Sequence, residues 1–127
     1  MRLSLLIGAV LISLPTALPA QAPTTVDVHL SNFRFAPKPI QLERGRPYVL
    51  RLINDADGGH NFAAPAFFAA SNIAPPDRAW LKNGKVEVPG GQVREIRLTA
   101  PAPGTYKLSC THFMHGAFGM KGEIIVR

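Results

Sequence analysis

Apolar and polar residues alternate along much of the chain after residue 24. In TVDVHL (25–30), Val26, Val28 and Leu30 fall on one face and Asp27 and His29 on the other, the period-two signature of a half-buried strand. Similar short runs follow at Ile40–Glu43, Tyr48–Ile53, Lys85–Val88, Val93–Thr99, Thr105–Cys110 and Gly122–Arg127, separated by Pro37, Pro39, Gly45, Pro89, Gly90, Gly91, Pro101, Pro103 and Gly104. About seven short strands, without a helix-period segment long enough for a second layer, predict an all-β protein, a sandwich or small barrel. The stretch Ala64–Gly84 breaks the strand spacing and predicts one short helix around Phe67–Asn72, with Phe67, Phe68 and Trp80 covering an end of the core.

The first twenty residues, MRLSLLIGAVLISLPTALPA, follow another pattern: one arginine, an apolar run from Leu3 to Leu14, and a small-residue end at Pro19 and Ala20. This is the layout of a secretory signal peptide. A membrane-spanning helix needs about 20 consecutive apolar residues, and Pro15 and Pro19 interrupt this run. Cleavage is expected after Ala20, leaving residues 21–127 as a single domain with one core. That domain is expected to be exported, to the bacterial periplasm, and to be a soluble monomer without a membrane span.

The chain is basic, with a formal net charge of +6 and a pI of about 10.1. Inside a cell this would raise nucleic acid as a partner, but export removes that partner, and the Lys and Arg residues form no run. A solvated basic surface is expected, one that suits an acidic protein partner.

Cysteine usage narrows the chemistry further. Exported small proteins usually carry cysteines in disulfide pairs, and this chain has only Cys110. A lone thiol in an oxidising compartment must be buried, catalytic or held by a metal. In TYKLSC, Tyr106, Leu108 and Cys110 share the inward parity of a core strand, so the thiol is expected to point inward. The segment that follows, THFMHGAFGM, adds His112, Met114, His115 and Met120, and polar imidazoles beside a buried thiol need partners. A thiolate with imidazoles and a thioether suits copper cycling between Cu(I) and Cu(II). Zinc gains nothing from methionine, and structural zinc sites usually use several cysteines. A second imidazole from elsewhere is required, and His60, following Gly58 and Gly59 in DADGGHNFAAP, stands where it can reach the Cys110 loop.

These residues resemble the cupredoxins, the small blue copper proteins of the plastocyanin, pseudoazurin and azurin kind. NFRFAPKPIQLERGRPYVLRLIND is similar to the family's opening strands, the pair His60 and Asn61 to its isolated histidine ligand and the asparagine that ties the ligand loops, and YKLSC...H....MKGEIIV to its last two strands. The resemblance implies a Greek-key β-sandwich and one copper per chain. It implies a type 1 site with His60, Cys110 and His115 in a plane and Met120 axial. The pattern C-x4-H-x4-M combines an azurin-like gap from Cys to His with a plastocyanin-like gap from His to Met, and leaves His112 and Met114 open as additional or alternative ligands. Phe113 and Phe118 are expected to shield the metal or to form an apolar docking patch beside His115, and His29 to serve at the surface.

The function expected is that of a one-electron carrier between redox partner proteins. The alternative is a copper-homeostasis protein that binds, buffers or delivers copper. An enzyme is not expected. A Cys110 nucleophile would need an orienting third residue and an oxyanion hole that no motif supplies, and a binuclear copper centre of this kind needs a second thiolate.

Overall fold

The alternation of TVDVHL is realised in strand β1 (Thr24–Ser31), where Val28 and Leu30 are fully buried and Asp27 and His29 are exposed. The computed structural model describes residues 11–127, so residues 1–10 of the expected leader lie outside the described residues. The strands after β1 are β2 (Arg34–Ala36), β3 (Ile40–Leu42), β4 (Pro47–Asn54), β5 (His60–Ala63), β6 (Asn72–Ile73), β7 (Leu81–Lys82), β8 (Lys85–Val88), β9 (Val93–Thr99), β10 (Gly104–Ser109) and β11 (Lys121–Val126). They form two sheets, ordered β2-β1-β4-β9-β6 and β3-β11-β10-β5-β8-β7. The chain crosses between sheets after β2, β3, β4, β5, β6, β8 and β9, and the pairs β1 with β4 and β3 with β11 run parallel. This is a β-sandwich of the Greek-key kind.

Each run expected from alternation is a strand, within a residue or two at its ends. Four strands were not legible that way. Three of them, β2, β6 and β7, are two or three residues long, too short to display a period. The fourth, β5, is buried at every position, so HNFA shows no alternation: His60 and Phe62 face the core while Asn61 and Ala63 are covered from outside. A strand covered on both faces does not advertise itself by alternation.

The insertion holds a short helix, α1 (Pro65–Ala70), starting two residues earlier than expected because Pro65 suits a first helical turn. It ends where the Ser71 hydroxyl turns back to the Phe67 carbonyl at 2.7 Å. Phe67 and Phe68 are buried, as expected. Trp80 is not: it is 46 % exposed and lies beneath the Arg94 guanidinium, 4.5 Å from ring centre to carbon. It caps no part of the core. The insertion is anchored instead by Asp77, in the 3-10 turn Pro75–Trp80. Its buried carboxylate accepts the Arg97 backbone N–H at 2.8 Å and the guanidinium at 2.9 and 2.7 Å.

The core lies between the sheets and includes Phe35, Phe62, Phe67, Leu50, Leu52, Ile96 and Ile124, all at most 1 % exposed. The Phe62 ring meets Phe35 edge-on at 6.0 Å and Phe68 at 5.7 Å. Residues 11–23 form no regular structure, and Leu11, Ile12, Leu14 and Leu18 are all exposed. No helix among the described residues is long and apolar enough to cross a membrane.

Phe67→Ala is expected to lower stability by about 3–5 kcal/mol through the cavity it leaves. Trp80→Ala, at a half-exposed position under Arg94, is expected to cost less, about 1–2 kcal/mol. Urea unfolding of the two variants measures the contrast. The Asp77 carboxyl is held below its ordinary value of 3.8 first by the hydrogen bonds from Arg97, against the opposing effect of burial. The stability it contributes is therefore present above that value and is lost as the pH falls through its lower folded value. Asp77→Asn should lower the melting temperature at neutral pH and flatten the melting curve's dependence on pH below about 4, which thermal melts across an acid series would reveal.

Candidate metal centre

Two segments meet at one end of the sandwich. The first is the turn from Asn54 to Gly59, which delivers His60 into β5. Asn54 is buried and fully used: its side-chain amide donates to the Gly58 and Val88 carbonyls at 2.9 and 2.8 Å, and its oxygen accepts the Ala56 N–H at 2.9 Å. The turn packs so closely on the loop after β8 that a Cβ on Gly90 would sit 1.9 Å from the Asp57 carbonyl oxygen, which leaves no room for a side chain there. Asn54 went unnoticed in the sequence because Asn-Asp after a strand reads as ordinary turn chemistry.

The second segment joins β10 to β11. Ser109 pairs with Lys121, and the Cys110 N–H donates to the Met120 carbonyl at 3.0 Å, so Cys110 and Met120 sit side by side where the hairpin opens. Between them the chain coils on itself: the Met120 N–H donates to the His115 carbonyl at 3.0 Å, and the His115 N–H to the His112 carbonyl at 3.1 Å. Cys110 is 2 % exposed and Met120 fully buried, matching the inward parity expected of the thiol.

The structure brings His60, Cys110 and His115 together. The two Nδ1 atoms lie 3.1 Å apart, with the Cys110 sulfur 3.4 Å from that of His115 and 3.9 Å from that of His60. A point equidistant from these three atoms lies about 2.0 Å from each, close to the roughly 2.0–2.3 Å that nitrogen and sulfur donors adopt around a first-row metal. The donor set thus fits a metal ion. The His60 ring is lowered in basicity by burial first, then by the nearby His115 and His112, so it stays neutral and keeps a lone pair available.

Asn61 joins the two sides. Its side-chain oxygen accepts the Thr111 N–H at 2.9 Å, its amide donates to the Thr111 hydroxyl at 2.8 Å and to Glu87 at 2.9 Å, and its backbone N–H points at the Cys110 sulfur at 3.4 Å. Glu87, unremarked in the sequence, also receives the His112 Nε2–H at 2.8 Å. Burial pushes its carboxyl up, but hydrogen bonds from Asn61 and His112 and the charges of His112 and Lys85 outweigh this and hold it below its ordinary value.

The remaining residues fall outside the cluster. The His112 ring is engaged by Glu87, with its centre 5.4 Å from that of His115. Met114 is 45 % exposed, with a left-handed backbone at φ 62°. Phe113 is 90 % exposed and shields nothing, contrary to one of the two roles expected of it. The ring that covers His115 is that of Phe33, edge-on at 5.3 Å, with Phe118 tilted against Phe33 at 5.0 Å. Phe33 lies in the β1–β2 turn, and nothing in the local sequence there points to a distant loop. His29 is at the surface as expected, paired with Asp55 at 2.6 Å rather than with Asp27.

Solved structures share this fold. The dithionite-reduced auracyanin of the photosynthetic bacterium Roseiflexus castenholzii is 22 % identical, with a TM-score of 0.62 over 84 % of this chain and 99 % of that one. Auracyanin A, a blue copper protein from Chloroflexus aurantiacus, is 18 % identical, with a TM-score of 0.61 over 84 % of this chain and all of that one. A multicopper oxidase from Campylobacter jejuni is 12 % identical, with a TM-score of 0.62 over 88 % of this chain but only 32 % of its own. No curated protein sequence matches the chain. The cupredoxin-like domain family matches residues 3–126, nearly the whole sequence, and together with the two-sheet fold this shows that the chain belongs to the cupredoxin-like family.

Proposed function

We propose that this chain is an exported one-electron carrier that holds a single copper ion with His60 Nδ1, Cys110 Sγ and His115 Nδ1, and with Met120 as the fourth, weaker ligand. The observation that carries the reading is the convergence of three donor atoms, from two separate segments, at 3.1, 3.4 and 3.9 Å. Copper bound there supplies a one-electron Cu(II)/Cu(I) couple.

The surrounding residues suit that task. Asn61 ties β5 to the residue after Cys110, so the donors from the two segments move as one unit and the geometry need not reorganise when charge changes. Its backbone N–H, aimed at the Cys110 sulfur, fixes the position of that donor. His60 and Cys110 are 1 % and 2 % exposed, which keeps water from the donors and favours retention of the ion over its delivery. His115 alone among the three is partly exposed. Phe33 and Phe118 flank it as an apolar surface on which a partner protein can seat, and the basic charge of the chain suits an acidic one. With His60 and Cys110 buried, the structure offers a substrate little access to the donors, which supports a carrier rather than an enzyme. Export fits the exposed apolar side chains of residues 11–18, which find no place on the domain and match a leader removed after Ala20.

Adding one equivalent of Cu(II) to the reduced, metal-free protein is expected to raise an intense thiolate-to-copper absorption band that bleaches on reduction and returns on oxidation. Cys110→Ser should abolish that band, and His60→Ala and His115→Ala should abolish or grossly alter it. Met120→Ala should keep it with a shifted maximum, and His112→Ala should leave it in place. A wild-type protein without the band, or a band surviving Cys110→Ser, would sink the carrier reading.

A further inference from the structure

The geometry points to Glu87 as a positioning residue for the metal centre: its carboxylate holds His112 away from the donor cluster and braces Asn61, so that only His115 is presented from the Cys110–Met120 loop. The inference rests on the copper-binding reading above and deepens it, by assigning the residue that chooses between two neighbouring imidazoles.

Three observations carry it. Glu87 lies directly across from Asn61 in the β5–β8 register, and in an antiparallel pair opposite residues share one face, so its side chain stands on the face that Asn61 and Thr111 also occupy. The carboxylate divides its two oxygens between the two ligand-bearing segments: Oε1 accepts from the Asn61 amide at 2.9 Å, and Oε2 accepts from His112 Nε2 at 2.8 Å. The His112 ring in turn rests on the turn leading to His60, where its Cε1 lies 3.4 Å from the place a Cβ on Gly59 would occupy. In this position neither ring nitrogen of His112 joins the cluster of His60, Cys110 and His115.

The restraint matters because the competitor is close. The ring centres of His112 and His115 are only 5.4 Å apart, and both side chains sit on one coiled loop. An imidazole two residues from Cys110 is chemically as good a ligand as one five residues away. A hydrogen bond to a charged acceptor is the kind of interaction that settles such a choice. The pair is partly exposed, with side-chain exposures of 33 % and 61 %, so its influence on global stability is small. Its effect lies in orientation.

The test uses Glu87→Ala, His112→Ala and the double variant of the full chain, compared with wild type. In the metal-free proteins, amide hydrogen exchange across Thr111–His115 is expected to speed up about fivefold or more in Glu87→Ala, with the amides of β4 and β9 unchanged. With Cu(II), Glu87→Ala is expected to show a second copper component in its electron paramagnetic resonance and absorption spectra. Adding His112→Ala is expected to restore the single wild-type component, a rescue that a merely structural role for Glu87 would not give. Glu87→Gln, which keeps the shape but turns an amide nitrogen toward one of the two donors, should move in the same direction and stands in if Glu87→Ala does not fold. The inference is overturned if Glu87→Ala matches wild type in both exchange and spectra, or if the double variant retains the second component. A wild type lacking the thiolate band would instead refute the copper reading, and the exchange data would still decide whether Glu87 restrains the loop.

Discussion

Asn61 reaches from the start of one strand to the residue beyond the end of another, and the candidate centre depends on that reach. Its oxygen accepts the Thr111 N–H, its amide donates to the Thr111 hydroxyl and to Glu87, and its backbone N–H faces the thiol. With the residue 1 % exposed, these partners replace water for a side chain that could not otherwise be buried without cost. His60 precedes it and Cys110 precedes its partner. A single satisfied amide therefore sets the separation of two donors that lie fifty positions apart in the chain.

The rest of the sandwich serves as a frame for that joint. Strand β5 is clamped between β10 and β8, Asn54 braces the turn that enters it, and Phe62 locks it to the core from the inner face. Rigidity on this side has a counterpart in the His60 ring, whose Nε2 is buried without a hydrogen-bond partner. A buried polar atom left unpaired costs stability. Its presence at this position fits a side chain placed for its other nitrogen, the one that faces Cys110 and His115. The donors are thus gathered by the protein itself, at some expense in stability.

The two ends of the donor set differ in exposure, and this gives the centre a direction. His60, Cys110 and Met120 are sealed in the core, while His115 reaches the surface under the edge of Phe33. Glu87 lies on the other side of the Cys110 loop, beside Lys85, whose ammonium reaches the Thr111 hydroxyl at 3.4 Å. One side of the loop is therefore apolar and open to contact, and the other is polar and braced. A loop carrying two histidines, one methionine and two phenylalanines between Cys110 and Met120 is sorted into these roles by its neighbours rather than by its own sequence.

That sorting marks the boundary between what the chain announces and what folding decides. Alternation revealed seven of the strands and the inward parity of Cys110, because a side chain's face on a strand is a local property of period two. Spacing and ligand softness singled out His60, Cys110, His115 and Met120 as candidates, with His112 and Met114 left open beside them. Strand β5 was invisible because covering both its faces erased its alternation. Trp80 was misplaced because an aromatic residue in an insertion carries no sign of whether a core or an arginine will meet it. Which ring lies on His115, what holds His112, and how close the donors come were decided only in three dimensions. These depend on side chains from β1–β2, β5 and β8 arriving at one loop, and contacts between segments so far apart leave no periodic trace in the sequence that encodes them.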